Sequence, residues 1–331
     1  MCGAANARLQ DWQLMRGAAV AMVCGSFNPE ALTVMSDIRA RIRGSITALV
    51  TPFRDGKVDE RAFQDFVDWQ VKQGTHGLVP CGTTRESPTL SHDEHHRVVE
   101  LAIEAAAGRV PVIAGAGSNS TAEAISLSQH AKDAGADAVL VVTPYYNKPT
   151  QDGLFAHYEA IAKAVDIPII VYNIPGRCVV DITPATMARI AKLPTVIGVK
   201  EATGDVSRYG KHRELIGPDF IQLSGDDSLA LAAVATGAVG CISVGSNILP
   251  RDYADLQEAA LAGDFARALT IQDRLTALNE ALFVEPNPCP VKWGAARLGL
   301  MQPDLRLPMM PIGPQTEKRM EEALRRAGAL N

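Results

Sequence analysis

Lys200 closes the apolar run Val196-Ile197-Gly198-Val199. A lysine at the end of a buried strand loses part of its hydration, which favours the neutral amine. A neutral amine adds to a ketone and, with loss of water, forms an imine. The other reading of Lys200 is a side chain that snorkels to solvent or pairs with the adjacent Glu201. Hydroxyls bear on that choice, because imine formation needs several proton transfers that phenols and threonines can relay. Tyr172 also ends an apolar run, as a proton carrier or as a core tyrosine bonded to a backbone carbonyl. Thr83 and Thr84 follow Cys81-Gly82 in a turn before a helix. They either cap that helix or bind a carboxylate through hydroxyls and backbone N–H groups. Arg177, just past Pro175-Gly176, either holds a second carboxylate in bidentate fashion or is solvated.

Other motifs carry less. Gly115-Ala116-Gly117-Ser118-Asn119-Ser120 opens like a dinucleotide fingerprint but ends in serine. His92, His95 and His96 cluster near a helix start without the HExxH pattern or a cysteine pair, so no metal is expected. There is no GxSxG and no P-loop. No cofactor is expected.

The elements that must position these groups alternate from Gly44 onward. Short Val- and Ile-rich runs at 46–51, 77–81, 110–114, 138–143, 168–172, 196–200, 220–223 and 240–244 predict eight strands. Helical patterns lie between them, for example at 92–107, 121–134 and 153–165. Continuous apolar runs fit strands buried on both faces, and the alternation implies βαβ units. Eight such units predict a closed (β/α)8 TIM barrel over 44–262, with its site where the strands end. Beyond it, helical patterns at 254–262, 265–282, 291–299 and 316–327 are punctuated by prolines. They predict a C-terminal helical appendage over 263–331, packed on the barrel because no Gly/Ser linker separates it.

The 331 residues are 47% hydrophobic, enough for a large core, and the net charge of −5 is of mixed sign. No basic stripe predicts a nucleic-acid or anionic-membrane partner, and no apolar run is long enough to span a bilayer. Six scattered cysteines without a CxxC pair read as reduced thiols of a cytoplasmic protein. Residues 1–43 lack clear periodicity and are expected to be a poorly ordered extension. Within it, Arg16 and the small apolar run from Gly17 to Gly25 only faintly resemble a signal peptide, and Met35 begins a sensible chain.

Taken together, the motifs resemble the dihydrodipicolinate synthase (4-hydroxy-tetrahydrodipicolinate synthase) family over about residues 44–330. They are Gly82-Thr83-Thr84, Thr143-Pro144-Tyr145-Tyr146-Asn147, Tyr172-Asn173-Ile174-Pro175, Gly198-Val199-Lys200-Glu201-Ala202-Thr203-Gly204 and Ser224-Gly225-Asp226-Asp227. The tail Phe283-Val284-Glu285-Pro286-Asn287-Pro288, then Pro290-Val291-Lys292-Trp293, matches as well. The resemblance implies a lyase of lysine (diaminopimelate) biosynthesis that condenses pyruvate with L-aspartate 4-semialdehyde. Lys200 would form the imine with pyruvate, and Tyr172 would move protons to and from it. Thr83 and Tyr146 would complete a relay, with Tyr146 reaching into a neighbouring subunit's site. Thr84 would seat the pyruvate carboxylate, Arg177 would bind the semialdehyde carboxylate, and Gly225 and Ile242 would line the pocket by their backbone. It further implies a cytoplasmic homotetramer, a dimer of tight dimers. An inhibitory L-lysine would sit among Ser87, His92, His95, Asn119, Glu123 and Tyr145.

Two positions depart from the family pattern. Arg85 stands where the family has glycine in Gly-Thr-Thr-Gly-Glu, and Cys178-Val179 stands where many members carry Thr-Gly. Arg85 leaves room for a catalytically impaired, lysine-binding barrel. The wider superfamily also includes N-acetylneuraminate lyases and keto-deoxy sugar-acid aldolases. Arg177 and the Tyr145-Tyr146 pair favour the small acidic aldehyde over those larger substrates.

Overall fold

The computed structural model describes residues 37–82 and 86–331. The chain divides into two units, Met1–Ile38 and Arg39–Asn331, and the second is described here. The expectation for the N-terminal extension therefore lies mostly outside the described residues.

Among the described residues, strands and helices alternate: β1 (Gly44–Ala48), α1 (Glu60–Lys72), β2 (Gly77–Val79), α2 (His92–Ala106), β3 (Ile113–Gly115), α3 (Thr121–Asp133), β4 (Ala138–Val142) and α4 (Gln151–Ala164). Then come β5 (Ile169–Asn173), α5 (Pro184–Ile190), β6 (Val196–Glu201), α6 (Ser207–Ile216), β7 (Ile221–Ser224), α7 (Ala230–Ala235), β8 (Gly240–Ser243) and α8 (Pro250–Leu261). The pairings of this eight-stranded sheet are all parallel, running β2-β1-β8-β7-β6-β5-β4-β3, and the isolated bridge Leu78–Val112 brings the two ends together. This is the TIM barrel that the alternation predicts. The continuous apolar runs are explained by burial on both faces, toward the barrel interior and toward the helices.

Local chemistry sets the helix starts. Ser91 and Glu94 form a reciprocal capping box at α2, while the Thr150 and Thr183 side chains cap α4 and α5. Three further helices, α9 (Phe265–Ala281), α10 (Cys289–Arg297) and α11 (Pro314–Arg326), follow the barrel. Leu275, Leu278, Val291, Met320 and Leu324 from these helices join Phe63, Val99, Val141 and Val199 of the barrel in one continuous core. No helix among the described residues is long and apolar enough to cross a membrane.

Some boundaries differ from the sequence reading. α8, α10 and α11 begin before the predicted 254, 291 and 316, because Pro250, Pro290 and Pro314 lie inside their first turns. Proline has no N–H to donate there and its φ already suits a helix, so it opens these helices rather than separating them. A two-stranded hairpin, Phe53–Arg54 with Lys57–Val58, and a one-turn helix, Pro175–Cys178, are too short for periodicity to reveal.

Candidate active site

The register of β5 and β6 sets Tyr172 directly beside Lys200. Both side chains are about 5% exposed, and Lys200 Nζ stands 4.2 Å from the centroid of the Tyr172 ring. Successive strand residues point to opposite faces, so the neighbouring Glu201 turns away from Lys200 toward the helix layer. There it accepts from Arg208 Nε (3.1 Å), Asn173 Nδ2 (3.2 Å) and the Thr203 N–H (3.2 Å). Burial pushes its carboxyl up, and the Arg208 guanidinium opposes that. A Lys200–Glu201 pair, one of the sequence-level readings, is thereby set aside: the partner of Glu201 is Arg208, and among the described residues no ion pair includes Lys200.

The end of β7 completes the floor. A Cβ added at Gly225 would lie 3.0 Å from Lys200 Cε and 2.7 Å from Ala202 Cβ, so only glycine leaves the lysine its channel. Ile242 is fully buried on β8, beside Cys241. Asp227 holds the next turn by accepting the N–H groups of Val244 and Gly245, each at 2.9 Å.

A cavity of about 310 Å³ opens at the strand ends. Tyr172 lines it, together with Gly82, Gly115, Leu140 and Val142 from the strands and their loops. Tyr145, Ile174, Arg177 and Cys178 form another wall; Glu86 to Thr89, with Asn287, Pro288, Pro308 and Met309, form the third. A side chain at Gly115 would collide with the Cys81 carbonyl oxygen, so close strand packing at the mouth requires glycine there. Arg177 is exposed on the rim, where Nη2 reaches the Asn287 carbonyl oxygen at 3.5 Å. Lys200, Gly225 and Ile242 are not among the lining residues; Tyr172 connects Lys200 to the cavity. Tyr146 is 90% exposed at a positive φ of 68° and stands outside this cavity. Thr83, Thr84 and Arg85 lie outside the described residues.

The residues expected to receive lysine also gather. His92 Nε2 lies 2.8 Å from Glu123 Oε1, and Ser118 bonds the other oxygen. Those bonds hold the Glu123 carboxyl below its ordinary value. Tyr145 is 38% exposed; its phenol is pushed up by partial burial and then by the Glu123 charge. Asn147 Nδ2 donates to the Asn119 carbonyl at 2.8 Å. Ser87 and Tyr145 both line the cavity, so this group adjoins the Tyr172 site.

Sequence reasoning gave no role to Lys292 and Arg306. Both reach across the fold to Glu86. No local pattern marks such partners, because they lie more than two hundred residues apart in the chain.

The dihydrodipicolinate synthetase family model matches residues 41–327. The 4-hydroxy-tetrahydrodipicolinate synthase of Methylobacterium radiotolerans is 60% identical over 291 residues, covering 88% of this chain and 97% of that protein. A chloride-inhibited dihydrodipicolinate synthase from Acinetobacter baumannii, complexed with pyruvate, superposes with a TM-score of 0.86 at 45% identity, covering 87% of this chain and all of the other. The lysine-bound enzyme of Cyanidioschyzon merolae superposes with a TM-score of 0.85 at 37% identity, covering 88% of this chain and 99% of that one.

Proposed function

The chain belongs to the dihydrodipicolinate synthetase family, and from that premise we propose that it condenses pyruvate with L-aspartate 4-semialdehyde to 4-hydroxy-tetrahydrodipicolinate on Lys200. The observation that carries this reading is the buried Lys200 amine 4.2 Å from the Tyr172 ring, behind a cavity with Arg177 on its rim. The amine adds to the ketone carbon of pyruvate and water leaves, giving the imine. Tyr172 carries protons in that step and in removal of a methyl proton to form the enamine. The enamine carbon bonds to the aldehyde carbon while Arg177 holds the semialdehyde carboxylate. The amino group of the semialdehyde then closes the ring on the imine carbon and releases Lys200. Thr83 and Tyr146 complete the proton relay, Thr84 seats the pyruvate carboxylate, and Gly225 leaves room for the Lys200 side chain behind the cavity.

The enzyme works in the cytoplasm as a homotetramer of tight dimers. The outward position of Tyr146 suits a side chain that completes a neighbouring subunit's site. L-lysine inhibits by binding among Ser87, His92, His95, Asn119, Glu123 and Tyr145; the Glu123 carboxylate supplies the counter-charge for an ammonium. Sedimentation tests the assembly, and a tetrameric mass is expected.

The decisive experiment measures condensation of the two substrates by the purified chain and by Lys200→Ala. Activity that vanishes in the variant, with a borohydride-trapped pyruvate adduct on Lys200 of the wild type, is the expected result. A folded wild type that gives neither activity nor adduct overturns the reading.

A further inference from the structure

Asn173 follows Tyr172 on β5, and Glu201 follows Lys200 on β6. The pleat that sends the phenol and the amine one way therefore sends these two side chains the other way, toward the helix layer. Both are buried, and they stand side by side in the strand register. Asn173 Nδ2 donates to Glu201 Oε1 at 3.2 Å and to Asp181 Oδ1 at 2.8 Å, while Asn173 Oδ1 accepts the Ile182 N–H at 3.1 Å.

One guanidinium joins these groups. Arg208, buried on α6, donates through Nε to Glu201 Oε2 at 3.1 Å, through Nη1 to Asp181 Oδ2 at 3.0 Å, and through Nη2 to the Ile182 carbonyl. Only arginine offers a rigid fork of donors that can serve three acceptors at once. Those acceptors belong to two segments. Glu201 ends β6, one residue past Lys200. Asp181 and Ile182 end the loop that returns from the one-turn helix Pro175–Cys178, which carries Arg177. That return passes through Val179, whose backbone is left-handed at φ 63°. A β-branched residue holds such a conformation only where its surroundings impose it, and two residues later the chain is pinned by Arg208 and Asn173.

A buried ion pair is a costly way to hold elements together, since apolar side chains of similar size often do it as well. What this one adds is a fixed position. Neither Arg208 nor Glu201 lines the cavity, so their influence on substrate passes through their neighbours. We propose that Arg208 is a positioning residue: from behind the strands it fixes the ends that carry Tyr172 and Lys200, and the loop that carries Arg177, relative to one another. This deepens the functional reading above and rests on it.

The test compares wild type with an Arg208→Met/Glu201→Gln double variant, which removes both charges of the buried pair, and with Arg208→Lys, which keeps the charge without the fork. Asp181→Ala cuts only the link to the Arg177 loop, at a side chain that is 42% exposed. Cooperative melting identifies the folded variants. In a folded Arg208 variant the rate of borohydride trapping at saturating pyruvate is expected to fall about ten- to a hundredfold, and the KM for the semialdehyde to rise about tenfold. Asp181→Ala should raise the semialdehyde KM alike while trapping stays near wild type. A folded Arg208 variant with wild-type trapping and semialdehyde KM overturns the proposal, and so does an unchanged semialdehyde KM in Asp181→Ala. Failure of both Arg208 variants to fold also overturns it, since the network would then be purely structural. A wild type that forms no pyruvate adduct defeats the underlying functional reading instead.

Discussion

Lys200 and Tyr172 are direct neighbours across β5 and β6, with the lysine nitrogen 4.2 Å from the phenol ring centroid. The strand ladder itself, rather than a loop, holds the amine and its proton carrier together. Tyr172→Phe keeps the ring and removes only the hydroxyl. It is expected to lower kcat by about a hundredfold to ten-thousandfold, the range of a general acid–base group, without loss of folding. Stopped-flow trapping of the imine would check this; wild-type trapping kinetics would remove Tyr172 from the relay.

Gly225→Ala tests the lysine channel. The new Cβ would meet Lys200 Cε at 3.0 Å and Ala202 Cβ at 2.7 Å. Overpacking of this kind costs about 1–3 kcal/mol of stability. Because the crowded atom belongs to Lys200, kcat/KM should fall by about tenfold or more. Thermal melting and initial rates measure both effects on one preparation.

Arg85→Gly restores the residue that the resembling family carries. The reversion is expected to raise kcat/KM for pyruvate, and an unchanged value would show that the arginine is tolerated at no catalytic cost.

Acid should destabilise the protein through two buried histidines. Burial lowers His157 and His212 to about 4. Thr121 Oγ1 meets His157 Nδ1 at 3.0 Å and Gln222 Oε1 meets His212 Nδ1 at 3.1 Å, while each Nε2 is buried without a partner among the described residues. Protonation in the fold is disfavoured, so their contribution is fully present above the unfolded value of 6.5 and is lost as pH falls toward 4. Linkage puts this loss at about 3 kcal/mol for each histidine. Urea unfolding at pH 7 and pH 4.5 measures it, and His157→Gln and His212→Gln should each flatten the decline.

Glu123→Ala tests the inhibitor site. A charged hydrogen bond to an ammonium contributes about 1.5–3 kcal/mol, so half-inhibition should need about tenfold more lysine or beyond. A wild-type rate that stays flat at millimolar lysine would remove feedback inhibition altogether.

The sequence by itself determined the alternation of strands and helices, and with it the barrel. A parallel strand buried on both faces must be apolar throughout, and that leaves a mark one residue after another. For the same reason Lys200 stood out, as a charge at the end of Val196-Ile197-Gly198-Val199. Tertiary structure alone decided which way the neighbouring charges face. Glu201 follows Lys200 in the chain, yet the pleat sends it to Arg208. Glu86 finds Lys292 from 206 residues away, and the cavity wall of Asn287, Pro288, Pro308 and Met309 comes from beyond the barrel strands. Periodicity records what one element buries. Pairings between distant elements depend on where the whole chain brings them, which no local pattern records.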